Sequence, residues 1–383
     1  MNNKKEFIIL GIETSCDETA ASILEIRNKK LEIRSNVVAS QVDIHRQYGG
    51  IVPEVAARAH IEKIIPIINE SIVKSGIKNP ESSIQLVAVT NGPGLITSLL
   101  VGVETAKVLA YVWQKPLLPI NHLIGHIYAA FINNQLSMIN NQSFPAICLV
   151  VSGGHTELIL MRNHYQFQKI GQTLDDAVGE CFDKVAKLLE IGYPGGPAIA
   201  AQAQLSMINN QLSLIKLPRP MIKTKDYNFS FSGLKTAVLY TLKNFKSELA
   251  GSKKEISQKL KKLPQKVRSK RKQFISAICA EVQQAVIDVL ISKTIRAARD
   301  TGAKTVILCG GVAANSELRR KLELKTKNLK LNFLVPPKNL CTDNAAMIAI
   351  ASYFQWLKLN STQRKKLKDE WREIEVNPNL EIS

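Results

Sequence analysis

Apolar positions along the chain fall into two rhythms: short unbroken runs, and longer stretches that recur every three to four residues. Residues 7–12 form an apolar run. It ends in Gly11-Ile12-Glu13-Thr14-Ser15-Cys16-Asp17-Glu18-Thr19, a turn rich in small, hydroxyl and acidic side chains. Residues 20–26 read as the returning strand. The runs at 86–90, 117–120, 306–309 and 331–335 also read as strands. Residues 146–151 repeat the opening layout, with Ser152-Gly153-Gly154-His155-Thr156-Glu157 as the turn and 158–161 as the second strand. Two such units, each starting a half of about 150 residues, predict a duplicated α/β domain. Helical spacing marks Ile61, Ile64, Ile65, Ile68 and Ile72 behind Pro53, a residue suited to a helix start. It also marks residues 95–113, and the stretch after Asp175-Asp176, where Ala177, Phe182, Val185, Leu188 and Leu189 share a stripe that excludes Asp183. A last apolar helix follows Thr342-Asp343-Asn344.

The length of 383 residues exceeds a single core and predicts two domains. The expected division is 1–125 plus about 343–383 for one lobe and 126–342 for the other. Six cysteines without C-x-x-C spacing point to a reduced, cytoplasmic chain. No unbroken apolar run approaches the ~18 residues of a membrane span, so no membrane association is expected. Lys+Arg 51 against Asp+Glu 32 leaves +19, which implies a polyanionic partner such as nucleic acid or an anionic surface. Residues 246–272 hold eleven Lys/Arg and two acids, either as a solvated segment or as a backbone contact for nucleic acid. The phrase N-Q-L-S-M-I-N-N-Q at 134–142 nearly recurs at 205–214, and both copies read as surface insertions without chemistry.

Chemistry concentrates first at Asn121-His122-Leu123-Ile124-Gly125-His126. On a helix, positions i and i+4 share a face, so His122 and His126 are placed to grip one divalent metal. The metalloprotease pattern needs a Glu directly after the first His, and Leu123 stands there. The plain alternative is a pair of ordinary helix histidines. Two imidazoles do not complete a metal shell, and Asp343 is the candidate third ligand. Local sequence by itself favours Thr342 or Asp343 as a helix N-cap. Glycine-rich strand-to-helix turns at 91–94 and 310–315 present backbone N–H groups that favour an anion or a flat ring. They lack the lysine of a P-loop. The turn at 11–19 either wraps a phosphate or is a simple hairpin.

Ten stretches together resemble one family, the bacterial tRNA threonylcarbamoyladenosine synthases (TsaD), related to archaeal and eukaryotic Kae-type proteins. They are G-I-E-T-S-C-D-E-T, Y-G-G-I-V-P-E, N-G-P-G-L, N-H-L-I-G-H, V-S-G-G-H-T-E-L, F-D-K-V-A-K-L-L, Y-P-G-G-P, F-S-F-S-G-L-K-T-A, G-G-V-A-A-N and T-D-N-A-A-M-I-A, in order from residue 7 to about 355. The resemblance implies duplicated actin-like, sugar-kinase-like (RNase H-like) domains with a cleft between them. It implies transfer of threonylcarbamoyl from threonylcarbamoyl-AMP to a tRNA adenosine. The metal ligands it implies are His122, His126 and Asp343, with iron expected and zinc chemically acceptable. Its adenylate contacts fall on Val150, Val151, Ser152, Gly153, Gly154, Asp183, Gly196 and Asn315. A further contact in some members is an Asp where this chain has Ala200. Expected partners are the shortened paralogue TsaB and the small ATPase TsaE. Cys16 has no base beside it in the sequence and reads as structural, while His155 reads either as a group near the phosphate or as a supporting or packing residue. A phosphotransferase or ATPase of the same superfamily, and a scaffold like the paralogue, are the competing readings; the His pair argues against both.

Overall fold

The computed structural model describes residues 6–28, 30–132, 143–208, 215–250 and 265–382. Among these residues two five-stranded sheets form. The first contains β1 Phe7–Glu13, β2 Glu18–Arg27, β3 Lys30–Ser40, β4 Leu86–Gly92 and β5 Leu117–Asn121, in the order β3-β2-β1-β4-β5. The second contains β6 Ala146–Val151, β7 Thr156–Asn163, β8 Gln166–Gln172, β9 Thr305–Cys309 and β10 Asn332–Leu334, in the order β10-β9-β6-β7-β8. Taken from the opposite edge, the second order is the first. In each sheet three strands run antiparallel and two more continue parallel to the central one. The repeat expected from the two strand-turn-strand units is thus a repeat of topology.

Strands such as β6, buried at all of its positions, need cover on both faces. Helices α1 Val42–Arg46, α2 Pro53–Ser75, α3 Pro80–Ser83 and α4 Ile96–Trp113 connect the strands of the first sheet, and α5 His122–Ala129 leaves it. Helices α6 Val178–Leu189, α7 Gly195–Ile208, α8 Ser232–Ala250, α9 Gln265–Asp300 and α10 Ser316–Asn328 serve the second, before α11 Ala345–Lys358 and α12 Ser361–Lys366. One face of the first sheet is covered by α2 and α4, which bury Ile64, Ile68, Val103 and Ala106 against Leu10, Ile12 and Val87. The other face is covered by α5 and α11. Their apolar cluster continues into the second sheet through Cys148, Val150, Ile159 and Ile307. These two helices therefore lie between the sheets. Gly11 permits the closeness, since a Cβ there would stand 2.4 Å from the Ala345 carbonyl oxygen.

Three expectations change. The stripe on α2 is wider than a core stripe: Ile64 and Ile68 are buried, whereas Ile61 and Ile65 are 65% and 51% exposed. Two helices, Ile96–Trp113 and Ser269–Asp300, reach the length and mean hydropathy (1.3 and 1.7) of a membrane span without an unbroken apolar run. The second is largely packed inside the protein, and the first buries one face on its sheet. The polar phrase expected as a surface insertion at 205–214 begins inside α7, which runs to Ile208. The rest of it, and the copy at 134–142, lie outside the described residues. The basic stretch 246–272 has helical ends in α8 and α9, and its centre, 251–264, lies outside the described residues as well.

Candidate metal centre

Strand β5 delivers the chain directly into α5, and Asn121 makes the junction. Its Oδ1 accepts hydrogen bonds from the backbone N–H groups of Leu123 (2.8 Å) and Ile124 (3.2 Å), the N-cap pattern. Its Nδ2 donates to the carbonyl oxygens of Leu380 and Glu381 at 3.3 and 3.4 Å. The same residue thus starts α5 and anchors the C-terminal segment at Leu380 and Glu381. Asn121→Ala is expected to cost about 1–2 kcal/mol of stability through the lost cap, and to weaken metal uptake by loosening the first turn. Asn121→Asp keeps the cap and loses the donor, so comparing the two by thermal unfolding and metal titration separates the parts. Equal metal affinity in all three proteins would show that α5 needs neither.

On α5 the i, i+4 spacing places both imidazoles on one face, with ring centroids 4.7 Å apart and planes at 83°. Both rings are buried. Asp343 meets them from the start of α11. The cap of that helix is Asn344, whose side chain accepts from Met347 N–H at 3.1 Å. Neither Thr342 nor Asp343 is the cap, so the local reading of those residues is corrected, and the Asp343 carboxylate turns to the histidines. Its Oδ1 lies 3.1 Å from His126 Nε2 and 3.5 Å from His122 Nε2. One donor atom from each residue falls within a 4.8 Å cluster. Two imidazole nitrogens and one carboxylate oxygen on one side of a point are the donor set of a divalent transition metal with open positions. The residues present therefore fit such an ion.

A residue absent from the expected site completes it. Glu13, at the end of β1, is fully buried. Its Oε1 accepts from Ser15 N–H (2.5 Å), and its Oε2 accepts from Thr90 Oγ1 (2.5 Å) and lies 3.1 Å from His122 Nδ1. Burial pulls the His122 pKa down, but the Asp343 and Glu13 carboxylates outweigh it and hold it at about 9. Burial alone would raise Asp343; the two imidazoles instead hold it at about 2. His155 is driven down to about 4 by burial and by the charge of His122 and His126, so its ring is neutral near pH 7. The Cys16 thiol is pushed well above its usual range by burial and by Asp17, Asp343 and Glu18, which removes it as a nucleophile.

The glycine loops lie at the carboxyl ends of β6 and β9. Ser152 N–H donates to the His155 carbonyl (2.8 Å), and His155 N–H returns a bond to Ser152 Oγ (3.1 Å). The turn rests on the start of α6, where Gly179 and Glu180 N–H groups donate to the Ser152 and Gly153 carbonyls. Beside Gly153 and Gly154 the space is open, with no heavy atom within 4 Å of a would-be Cβ. Gly310, at φ +90°, lets the second loop pass Val151, whose carbonyl oxygen would stand 2.3 Å from a Cβ there. The side chains of Val150 and Val151 are fully buried in β6, behind these loops. Asp183 Oδ1 accepts from Gly195 N–H at 2.6 Å and so fixes the start of α7, which carries Gly196; burial raises its pKa. Asn315 caps α10 through Oδ1 to Glu317 and Leu318 N–H groups, and its Nδ2 donates to Gln283 Oε1 at 2.8 Å. Ala200 sits on α7.

Glu13, Thr90 and Asn121 were invisible as site residues because each looks ordinary in its own segment. A carboxylate ending an otherwise apolar run was the one local signal.

A two-lobed α/β protein with the same sheet order in each half, carrying a His-His-carboxylate cluster on the helices between them, belongs to the duplicated actin-like class. Solved structures agree: HypF of T. kodakarensis aligns with TM-score 0.55 over 92% of this chain and 48% of its own, at 12% identity. A full-length HypF aligns with TM-score 0.51 over 93% and 47%, at 13% identity. The chain spans about half of those longer proteins, and the likeness is one of fold. The sequence model of tRNA N6-adenosine threonylcarbamoyltransferase (TsaD) matches residues 32–350. Proteins of that name are 47% identical in Thermomicrobium roseum over 91% of both chains, and 47% in Bacillus subtilis over 92% of this chain and 91% of the relative. One in Thermosipho africanus is 42% identical over 98% of this chain and all of the relative. The chain belongs to the tRNA N6-adenosine threonylcarbamoyltransferase family.

Proposed function

We propose that this protein transfers the threonylcarbamoyl group from threonylcarbamoyl-AMP to the exocyclic N6 of the adenosine 3′ of the anticodon, in tRNAs that read codons starting with A. The observation that carries this reading is the intact His122–His126–Asp343 cluster in a chain of that family. In the reaction the adenosine amine attacks the carbamoyl carbon, AMP departs with the electrons of the broken C–O bond, and the amine gives up one proton. A divalent metal, iron as the family resemblance implies and zinc as a chemically acceptable alternative, would supply Lewis acidity at the carbamoyl carbonyl when bound. The protein's own part is positioning. The Ser152–Gly154 turn offers open backbone to the adenylate phosphate, while Asp183, Gly196 and Asn315 frame the nucleotide. The lobe division at 1–125 plus about 343–383 and 126–342 fits this use, because it puts α5 and α11 at the seam. A tRNA substrate fits a cytoplasmic site of action.

The reading is tested by incubating the protein, its partners, unmodified tRNA and threonylcarbamoyl-AMP, then digesting the tRNA for nucleoside mass spectrometry. Threonylcarbamoyladenosine is expected, and its absence with metal-loaded protein overturns the proposal. Asp183→Ala and Asn315→Ala are expected to part company in such an assay. Each weakens adenylate affinity, at on the order of 1–3 kcal/mol per lost polar contact. Asn315→Ala should lower the unfolding midpoint more, since it removes a helix cap made of two bonds, whereas Asp183→Ala removes the single bond to Gly195 N–H. Binding of a non-hydrolysable adenylate analogue beside a thermal melt decides this, and unchanged affinity in both variants would move the nucleotide elsewhere.

For protein partners, the apolar outer faces of α2 and α4 offer the place. Ile61 and Ile65 on α2, and Ile96, Leu100, Val108 and Val112 on α4, are exposed at i, i+4 spacings on two helices that pack side by side. Such a pair of stripes fits an apolar face of a protein partner, and the partners that the family resemblance implies are the shortened paralogue TsaB and the small ATPase TsaE.

A further inference from the structure

We propose that Glu13 is a positioning residue for the metal centre: it dictates which nitrogen of His122 faces the metal. The inference rests on the metal reading given above. The ends of β1, β4 and β5 are neighbours in the first sheet, and they bring Glu13, Thr90 and His122 together. Three groups converge on one buried carboxylate. Ser15 N–H is a fixed donor to Oε1, Thr90 O–H donates to Oε2, and His122 Nδ1 lies against the same Oε2. Ser15 Oγ also approaches Nδ1 at 3.0 Å. An anionic carboxylate only accepts. Against it, Nδ1 must keep its hydrogen, so the proton that a metal displaces is the one on Nε2, whose lone pair then points at the place shared with His126 and Asp343. A carboxylate behind a metal-ligating histidine is the general device for fixing ring orientation and raising ligand basicity. The neighbouring ligand lacks this support. Among the described residues His126 Nδ1 has no hydrogen-bond partner although it is buried, so the orientation of the pair depends on His122.

Glu13→Gln tests this with almost no change of shape. Glutamine has one acceptor oxygen and one donor NH2. The backbone N–H of Ser15 does not move, so it claims the oxygen. The NH2 then faces His122 Nδ1 and favours it as an acceptor, which moves the ring hydrogen to Nε2, where the metal needs a lone pair. The expected result is a fall in Zn2+ affinity of ~10–100-fold, measured by chelator competition. A changed Co2+ absorption spectrum should accompany it, and the fold should be retained. Glu13→Asp keeps two acceptors on a shorter stem; its affinity should lie between wild type and Glu13→Gln, and it carries the test if the glutamine variant does not fold. If wild type binds Zn2+ or Co2+ and both variants bind with wild-type affinity and spectrum, the role of Glu13 is overturned while the metal site stands. If wild type takes up neither ion, and His126→Ala behaves identically, the metal reading falls and takes this inference with it.

Discussion

His126→Ala is expected to lose metal and threonylcarbamoyl transfer together, while the two lobes stay folded. The imidazole is almost completely buried, and its Nε2 faces Asp343 at 3.1 Å. Removing it deletes one of three protein donors, and two donors are too few to hold a divalent ion in a closed protein site. Two effects on stability oppose each other. The variant leaves a small cavity beside α11, which costs contacts. It also removes Nδ1, a buried nitrogen with no partner among the described residues, whose unmet hydrogen bond costs about 1–3 kcal/mol in the wild type. Terms of similar size and opposite sign leave the melting temperature of metal-free protein little changed. Metal content by plasma mass spectrometry and nucleoside analysis of treated tRNA are the two readouts. A metal-free His126→Ala protein that still transferred at the wild-type rate would remove the metal from the chemistry.

Ile65→Asp combined with Val108→Asp is expected to abolish association with the paralogue and, with it, transfer in the reconstituted system. Both side chains are at least half exposed, so the isolated protein pays little for the change. In a docked state the same positions would be covered. Burying an unpaired carboxylate in an apolar contact costs several kcal/mol. Since each 1.4 kcal/mol is a factor of ten, two such sites lower association by at least ~100-fold. Metal content and adenylate binding should be unaffected, because α2 and α4 turn their other faces to the sheet and lie on the opposite side of it from α5 and α11. Size-exclusion profiles of the mixed proteins check the first claim. Co-elution of the double variant at wild-type concentrations would place the partner on another surface.

The strands with continuous apolar runs were legible because a strand buried on both faces has no room for polar residues. The runs at 7–12 and 146–151 match β1 and β6 almost residue for residue. The edge strands β3 and β8 were not legible, since alternating or largely polar sequences such as KLEIRSNVVAS and QFQKIGQ carry little apolar signal. Helix α9 was hidden for a different reason: its first turns carry the basic residues that end the 246–272 stretch. Helical spacing announced α2, but it did not say which isoleucines the core would take. That depends on the width of the sheet beneath, which buries Ile64, Ile67 and Ile68 and leaves Ile61 and Ile65 outside.

At the site, the sequence by itself determined what one helix can determine. His122 and His126 share a face because 3.6 residues make a turn, and Leu123 in place of a glutamate removes the built-in base of a metalloprotease. Asp343 was open between ligand and cap until the structure placed Asn344 in the cap, which is a matter of one backbone torsion and invisible in the letters. Glu13 and Thr90 belong to the site only because parallel pairing sets β1, β4 and β5 side by side with their ends level. Glu13 and His122 are 109 residues apart in sequence and 3.1 Å apart in space. Local periodicity reports neighbours within a turn or a strand; the order of strands in a sheet is decided by the whole chain, and with it the carboxylate that stands behind the histidine.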